Sequence, residues 1–240
     1  MMPADSTVDI LAFGAHPDDV ECAAAGVLLK HIEMGKTVAV VDLTAGEMGS
    51  YGTVEERKKE SEAAAALMGI NQREQLNLPD GGIENNEANR LLTIEIIRKY
   101  RPSIILANAI NDRHPDHANA AKLVSDAAFL SGLKKKKTFY KGNEQEVWRP
   151  QAVYHYIQDY FIEPDFVIDI TEQMDKKLEA ILSFKSQFVE PKDNEPNSIL
   201  GLINQIKSMN SIYGRPINAA YAEGFTVNRY IGVSNFYQLI

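Results

Sequence analysis

The feature that most restricts the possible folds is the alternation of short apolar runs with amphipathic segments. Val8 to Gly14 is an apolar run of strand length ending in glycine, as expected of a strand buried in a parallel sheet. Asp18 or Asp19 can cap a following helix in which Val20, Ala24, Val27, Leu28 and His31 recur near helical spacing, with Gly35 at its stop. A strand over 37–43 and a helix over 55–68, stopped by Gly69, complete a βαβα opening. An extended piece at 75–78, a helix over 87–100, a strand over 104–107 and a helix over 116–131 continue the pattern. Further on, 152–157 and 166–170 read as strands and 172–188 and 198–212 as helices. This predicts a single-domain α/β fold: a Rossmann-like sheet, mostly parallel, flanked by helices.

Composition narrows the partners. The 240 residues, 45% of them apolar, can fill one core, so 1–240 is expected to be one domain. The 25 Lys and Arg against 33 Asp and Glu give a formal charge of −8, which disfavours nucleic acid or an anionic membrane and favours a small molecule. The opening residues lack a basic and apolar leader, and no later stretch approaches the ~20 apolar residues that span a bilayer, so a cytoplasmic location is expected. Cys22 is the only cysteine, which excludes an intrachain disulfide and a cysteine-based zinc finger. A metal would have to be held by His, Asp or Glu.

In an open parallel sheet, ligands bind beyond the carboxyl ends of the strands. Four predicted strands run into polar turns there: Ala15-His16-Pro17-Asp18-Asp19, Thr44-Ala45-Gly46-Glu47, Leu78-Pro79-Asp80-Gly81-Gly82 and Asn111-Asp112-Arg113-His114-Pro115-Asp116-His117. They are expected to share one crevice. A Pro-Asp turn before a helix ordinarily supplies only an N-cap, and a lone loop histidine is ordinarily solvated. Two His-Pro-Asp triplets, each ending a strand and each followed by another metal-capable residue, go beyond that. A catalytic zinc site typically has three His or carboxylate ligands and leaves a position for water, and His16, Asp19 and His117 meet that count. Asp18, beside a ligand, is the natural general base. Two His and one carboxylate suit iron(II) as well as zinc.

The stretches Gly14 to Asp19 and Asp112 to His117 resemble the two signatures of the LmbE-like, or PIG-L, family of zinc-dependent N-acetylglucosaminyl deacetylases. Gly52-Thr53-Val54-Glu55-Glu56-Arg57 and Tyr221-Ala222-Glu223-Gly224-Phe225 extend the similarity over most of the chain. The resemblance implies a hydrolase that removes acetyl from the nitrogen of a small amino sugar, with zinc on His16, Asp19 and His117 and with Asp18 as base. It implies that His114 stabilises the oxyanion or protonates the leaving amine, and that Asp116 orients His114 and holds it charged. Glu47, Arg57 and Asp80 would lie near the sugar. The bacillithiol-type branch is the most similar, which implies N-acetylglucosaminyl malate as substrate, with free N-acetylglucosamine or chitooligosaccharides as alternatives. Such relatives form trimers or hexamers, so a homo-oligomer is implied.

Three readings compete. A dinucleotide site needs a glycine-rich first turn, where His16 and Pro17 would obstruct a pyrophosphate. A phosphoesterase commonly uses two metals, and Asp18 and Asp116 could serve a second ion. A non-catalytic sugar-binding relative would be expected to lose Asp18 or His114 before its scaffold. Residues 134–150, which open with four lysines, read as a solvated loop, and 220–231 fit no clear element. His155, on a strand bordering the site, would contact substrate or face solvent.

Overall fold

The computed structural model describes residues 7–188 and 201–239. The chain runs through β1 (Ile10–Gly14), α1 (Asp19–Glu33), β2 (Val38–Asp42), α2 (Val54–Met68), β3 (Gln72–Gln75), α3 (Glu87–Tyr100), β4 (Ile104–Ala107) and α4 (Pro115–Leu130). A hairpin of β5 (Phe139–Tyr140) and β6 (Asn143–Glu144) follows, then β7 (Ala152–Tyr156), β8 (Phe166–Asp169), α5 (Met174–Leu182), α6 (Lys185–Phe188), α7 (Leu202–Gly214) and β9 (Ala222–Thr226). The main sheet has seven strands in the order β3-β2-β1-β4-β7-β9-β8. β3, β2, β1, β4 and β7 are parallel, and β9 runs antiparallel between β7 and β8. This is the mostly parallel, helix-flanked α/β fold that the alternation predicts.

Because side chains alternate across a strand, β1 feeds two cores. Ile10 and Ala12 pack with α1, α2 and α5 on one face, and Leu11 and Phe13 pack with α3 and α4 on the other. The sheet is thus buried on both faces, which explains why β1 and the Val38 to Val41 run of β2 are apolar. Among the described residues, no helix is long and apolar enough to cross a membrane.

Four stretches differ from the sequence reading. The third strand is Gln72–Gln75, not 75–78. It is an edge strand whose Arg73 reaches inward to Glu21 and Asp42, while Leu78 packs in the core just beyond it. The segment read as a helix over 172–188 is broken: a 3₁₀ turn at Thr171–Gln173 precedes α5, and α6 is separate. The segment 134–150 is not simply a solvated loop. Buried Arg98 anchors it by donating to the Ser131 and Leu133 carbonyls and to Thr138 Oγ1, and Trp148 Nε1 donates to the Pro102 carbonyl. The unplaced 220–231 contains β9, fully inside the sheet. Residues 191–196, polar in sequence, and the start of the helix expected at 198 lie outside the described residues.

Candidate active site

The chain passes from β1 to β2 on one side of β1, whereas β4 lies on its other side, so a crevice opens beyond their carboxyl ends. A cleft of about 420 Å³ lies there. His16, Asp18 and Asp19 line it from the turn after β1, Met48 to Tyr51 from after β2, Asp80 from after β3, and Arg113, His114 and His117 from after β4. The turns after β1, β3 and β4 share the crevice as expected, whereas after β2 the cleft is lined by residues 48–51 and not by Thr44 to Glu47. Gln158 and Asp159, after β7, and Leu202 and Ile206 of α7 complete its walls.

The turn after β1 does more than start a helix. Asp18 has φ 111° and makes no side-chain cap bond to α1, so it is not the ordinary N-cap. A non-glycine residue in that region carries strain of roughly 1–3 kcal/mol, which is typical of functional turns. Asp19 folds back to accept the His16 backbone N–H at 2.9 Å. Its Oδ1 lies 3.2 Å from His117 Nε2, and its Oδ2 lies 3.6 Å from His16 Nδ1. The far nitrogen of each ring is already engaged: His16 Nε2 lies 3.0 Å from Asp80 and 3.4 Å from Asp116, and His117 Nδ1 lies 2.7 Å from Asp112.

A buried carboxylate flanked by two imidazoles, each backed by a further carboxylate, is the donor arrangement that divalent-metal sites use. The residues present therefore fit a metal ion. His114 shares the place, since ring nitrogens of His16, His114 and His117 all lie within 4.8 Å of one another. The second acidic group, His16 with Asp80 and Asp116, has the same spacing. Its carboxylates, however, are already spent on the Gly81, Ile83 and Met48 amides and on His16 itself. It reads as support for His16 and not as a second metal site.

The protonation pattern follows from this packing. Burial opposes charge on His16, but Asp116, Asp19 and Asp80 outweigh it and push the ring up to about 12. Burial likewise opposes charge on His117, where Asp19 and Asp112 raise it to about 9. Asp19 is held well below the usual carboxylate range, because His117 and His16 overcome its burial. Asp18 goes the other way: burial pushes it up to about 7, with Arg57 opposing and Asp19 adding to the rise. A base poised near neutrality suits proton transfer.

Arg57, which sequence alone places on an exposed helix as easily as in the site, is 5% exposed. It donates to the Gly46 carbonyl at 2.9 Å, the Pro17 carbonyl at 2.8 Å and Asp18 Oδ2 at 3.3 Å. Gly46 permits this approach, since a Cβ there would lie 1.9 Å from the guanidinium. Glu47 is exposed and outside the cleft lining, and it accepts the Ala45 and Asp80 amides, so it ties two rim turns together. Asp80 lines the cleft, and its carboxyl is lowered to about 2, the His16 and Met48 bonds overcoming burial.

Asp116 stands elsewhere than the resemblance implies. Its carboxylate accepts the Gly81 and Ile83 amides and faces His16, while only its backbone N–H meets His114, at Nδ1. Burial and the neighbouring His16 and His117 hold His114 below its ordinary range, so the ring is neutral. With Nδ1 accepting, the proton of that neutral ring sits on Nε2 as a hydrogen-bond donor. His155 neither lines the cleft nor faces solvent. It is 2% exposed, with Nδ1 on the Asn108 carbonyl at 2.9 Å and Nε2 on Ser125 Oγ at 3.0 Å.

Three residues went unassigned from sequence. Asp112, inside the second motif, backs His117. Asn108 and Gln158 both bond Asp19. Asn108 directly follows β4, a position from which site residues commonly come, whereas Gln158 carries no local signal.

The fold and site define an α/β protein with a His/Asp centre, able to hold a metal ion, at the sheet's switch point. The family model for GlcNAc-PI de-N-acetylase, PIG-L, matches residues 11–128. A diacetylchitobiose deacetylase of Thermococcus kodakarensis is 26% identical over 233 residues, covering 92% of this chain and 84% of that protein. A probable N-acetyl-alpha-D-glucosaminyl L-malate deacetylase 2 of Bacillus cereus is 30% identical over 191 residues, covering 74% and 83%. The crystal structure of a conserved protein from Thermus thermophilus matches with a TM-score of 0.84 at 32% identity, covering 95% of this chain and 98% of that one. The chain belongs to the PIG-L family of N-deacetylases, which are hydrolases.

Proposed function

We propose that residues 1–240 form one catalytic domain that hydrolyses the N-acetyl group of an N-acetylglucosamine derivative. The observation that carries this reading is the Asp19 carboxylate lying between His16 and His117, with Asp18 and His114 on the same cleft. His16, Asp19 and His117 would hold the metal, zinc or iron(II). When bound, such an ion supplies Lewis acidity and lowers the pKa of water from about 15.7 to about 7. Asp18 takes the proton of the attacking water, and its position beside Arg57 keeps its carboxylate aimed at the cleft. His114 offers Nε2–H to the carbonyl oxygen as negative charge develops there, and the proton that Asp18 has taken from the water is the one that can pass to the leaving amine. Arg57 and Asp80 edge the cleft where the sugar would lie, and Asp116 acts through His16.

For the substrate, we favour a chitooligosaccharide over N-acetylglucosaminyl malate. Likeness to the diacetylchitobiose deacetylase extends over 92% of the chain, against 74% for the malate-sugar deacetylase. Free-amine release should be measured on N,N'-diacetylchitobiose, N-acetylglucosamine and N-acetylglucosaminyl malate, with and without chelator. Chelator-sensitive release fastest on diacetylchitobiose is the expected result. Faster turnover of the malate sugar would restore the bacillithiol-type assignment. No release from metal-loaded protein on any of the three would favour a sugar-binding protein that has lost the reaction.

A further inference from the structure

Asp19 is a small side chain asked to serve two histidines, and its own orientation has to be fixed by something. Its Oδ2 accepts from Asn108 Nδ2 at 2.9 Å, and its Oδ1 accepts from Gln158 Nε2 at 3.0 Å. The same Asn108 amide donates to Gln158 Oε1 at 2.9 Å. A carboxylate can only accept, so the NH₂ ends of both amides must face it. Asn108 Nδ2, bonded to the Gln158 oxygen as well, selects which end of Gln158 turns toward Asp19. The backbone beneath is also tied: the Asn108 carbonyl accepts from His155 Nδ1, and that ring's other nitrogen is met by Ser125 Oγ at 3.0 Å. Asn108 and His155 are buried at 0% and 2% exposure, which shields the middle of this chain from solvent.

We propose that Asn108 and Gln158 form an amide clamp that presets Asp19 as a metal ligand, with His155 and Ser125 bracing Asn108 from behind the sheet. They are positioning residues, since they act on the metal through Asp19. The clamp draws on residues just beyond β4 and β7, neighbours in the sheet, so Asp19 of the turn after β1 is held from the adjacent strand ends. The inference rests on the assignment of Asp19 as a ligand.

The test is Zn²⁺ affinity of the full chain, read by competition with a chromophoric chelator, together with the visible spectrum of the Co²⁺-loaded protein. Gln158→Leu, at a partly exposed position, and the near-isosteric Asn108→Asp should each weaken Zn²⁺ binding by about 10–100-fold and shift the Co²⁺ bands, as loss of a ligand's supporting partner does. In a double-mutant cycle the two should be non-additive, because Asn108 orients Gln158. If Asn108→Asp fails to fold, Gln158→Leu with Gln158→Glu carries the test. Unchanged affinity and spectrum in the Gln158 variants, while Asp19→Ala loses Zn²⁺, would overturn the clamp and leave the ligand assignment standing. Zn²⁺ binding by Asp19→Ala at wild-type strength would overturn both.

Discussion

Asp18 and Asp19 are adjacent carboxylates whose surroundings drive their proton affinities apart. Asp19 touches two imidazoles and three N–H donors, and so remains ionised. Asp18, with Arg57 as its one bonded cation, has a carboxyl raised by burial. Asp18→Asn should therefore keep its metal content, measured by elemental analysis, and lose about 10²–10⁴-fold in kcat, the range a general base supplies. A variant that loses its metal instead would make Asp18 a ligand. His114→Ala should lower kcat by about 10²–10³-fold with little change in KM, because its Nε2–H gains strength only as the carbonyl oxygen becomes charged. Steady-state kinetics checks that split. At this scale the sequence was legible where the chemistry is contiguous: residues 14–19 and 112–117 each pack several functional groups into one turn. Asn108 and Gln158 were not legible, because a lone amide after a strand is chemically ordinary until the fold sets it against Asp19. The bonding of Asp116 was not legible, because adjacency to His114 in sequence says nothing of where a helical carboxylate points, which is toward the 81–83 amides.

At the scale of elements, α1 carries the first motif and is pinned in the middle. Glu223 of β9 accepts the backbone N–H groups of Gly26 and Val27, at 2.9 and 2.8 Å, inside the helix. Lys177 of α5 neutralises it at 2.8 Å, and both side chains are at most 1% exposed. Removing one partner strands a buried charge, so Lys177→Met should cost about 3–5 kcal/mol in urea unfolding. Adding Glu223→Gln to it should recover part of that loss, and a double variant no better than the single would mean that packing, not charge, is the cause. The sequence had shown Glu223 only as part of a family-like stretch. It hid β9 because Ala222-Glu223-Gly224-Phe225-Thr226 carries a glutamate and a glycine, which break the apolar run expected of a buried strand. β3 was displaced for a related reason: Gln-Arg-Glu-Gln has no apolar alternation, since an edge strand with an inward Arg73 needs none. β1, β2 and β4 were legible because burial on both faces of the sheet leaves continuous apolar runs.

For the whole molecule, the site gathers Asp18, Asp19, Asp80, Asp112 and Asp116 against Arg57, His16 and His117, the carboxylates coming from turns that follow three different strands. In the native state these carboxylates are held together by the fold, whereas in the unfolded chain they separate. A divalent cation at Asp19 offsets that crowding only when the fold has assembled it, so binding must stabilise the native state by linkage. At a free metal concentration of about 100 times Kd the gain is about 2.7 kcal/mol, which for a domain of this size raises the melting temperature by roughly 5–10 °C. Thermal unfolding of the chelator-treated protein, repeated across a Zn²⁺ titration, measures it. The expected outcome is a melting temperature that climbs with Zn²⁺ in the wild type and in Asp18→Asn but stays flat in Asp19→Ala. A climb of equal size in Asp19→Ala would place the stabilising cation elsewhere on this acidic molecule, and a flat wild type would mean that the His/Asp centre does not take up Zn²⁺.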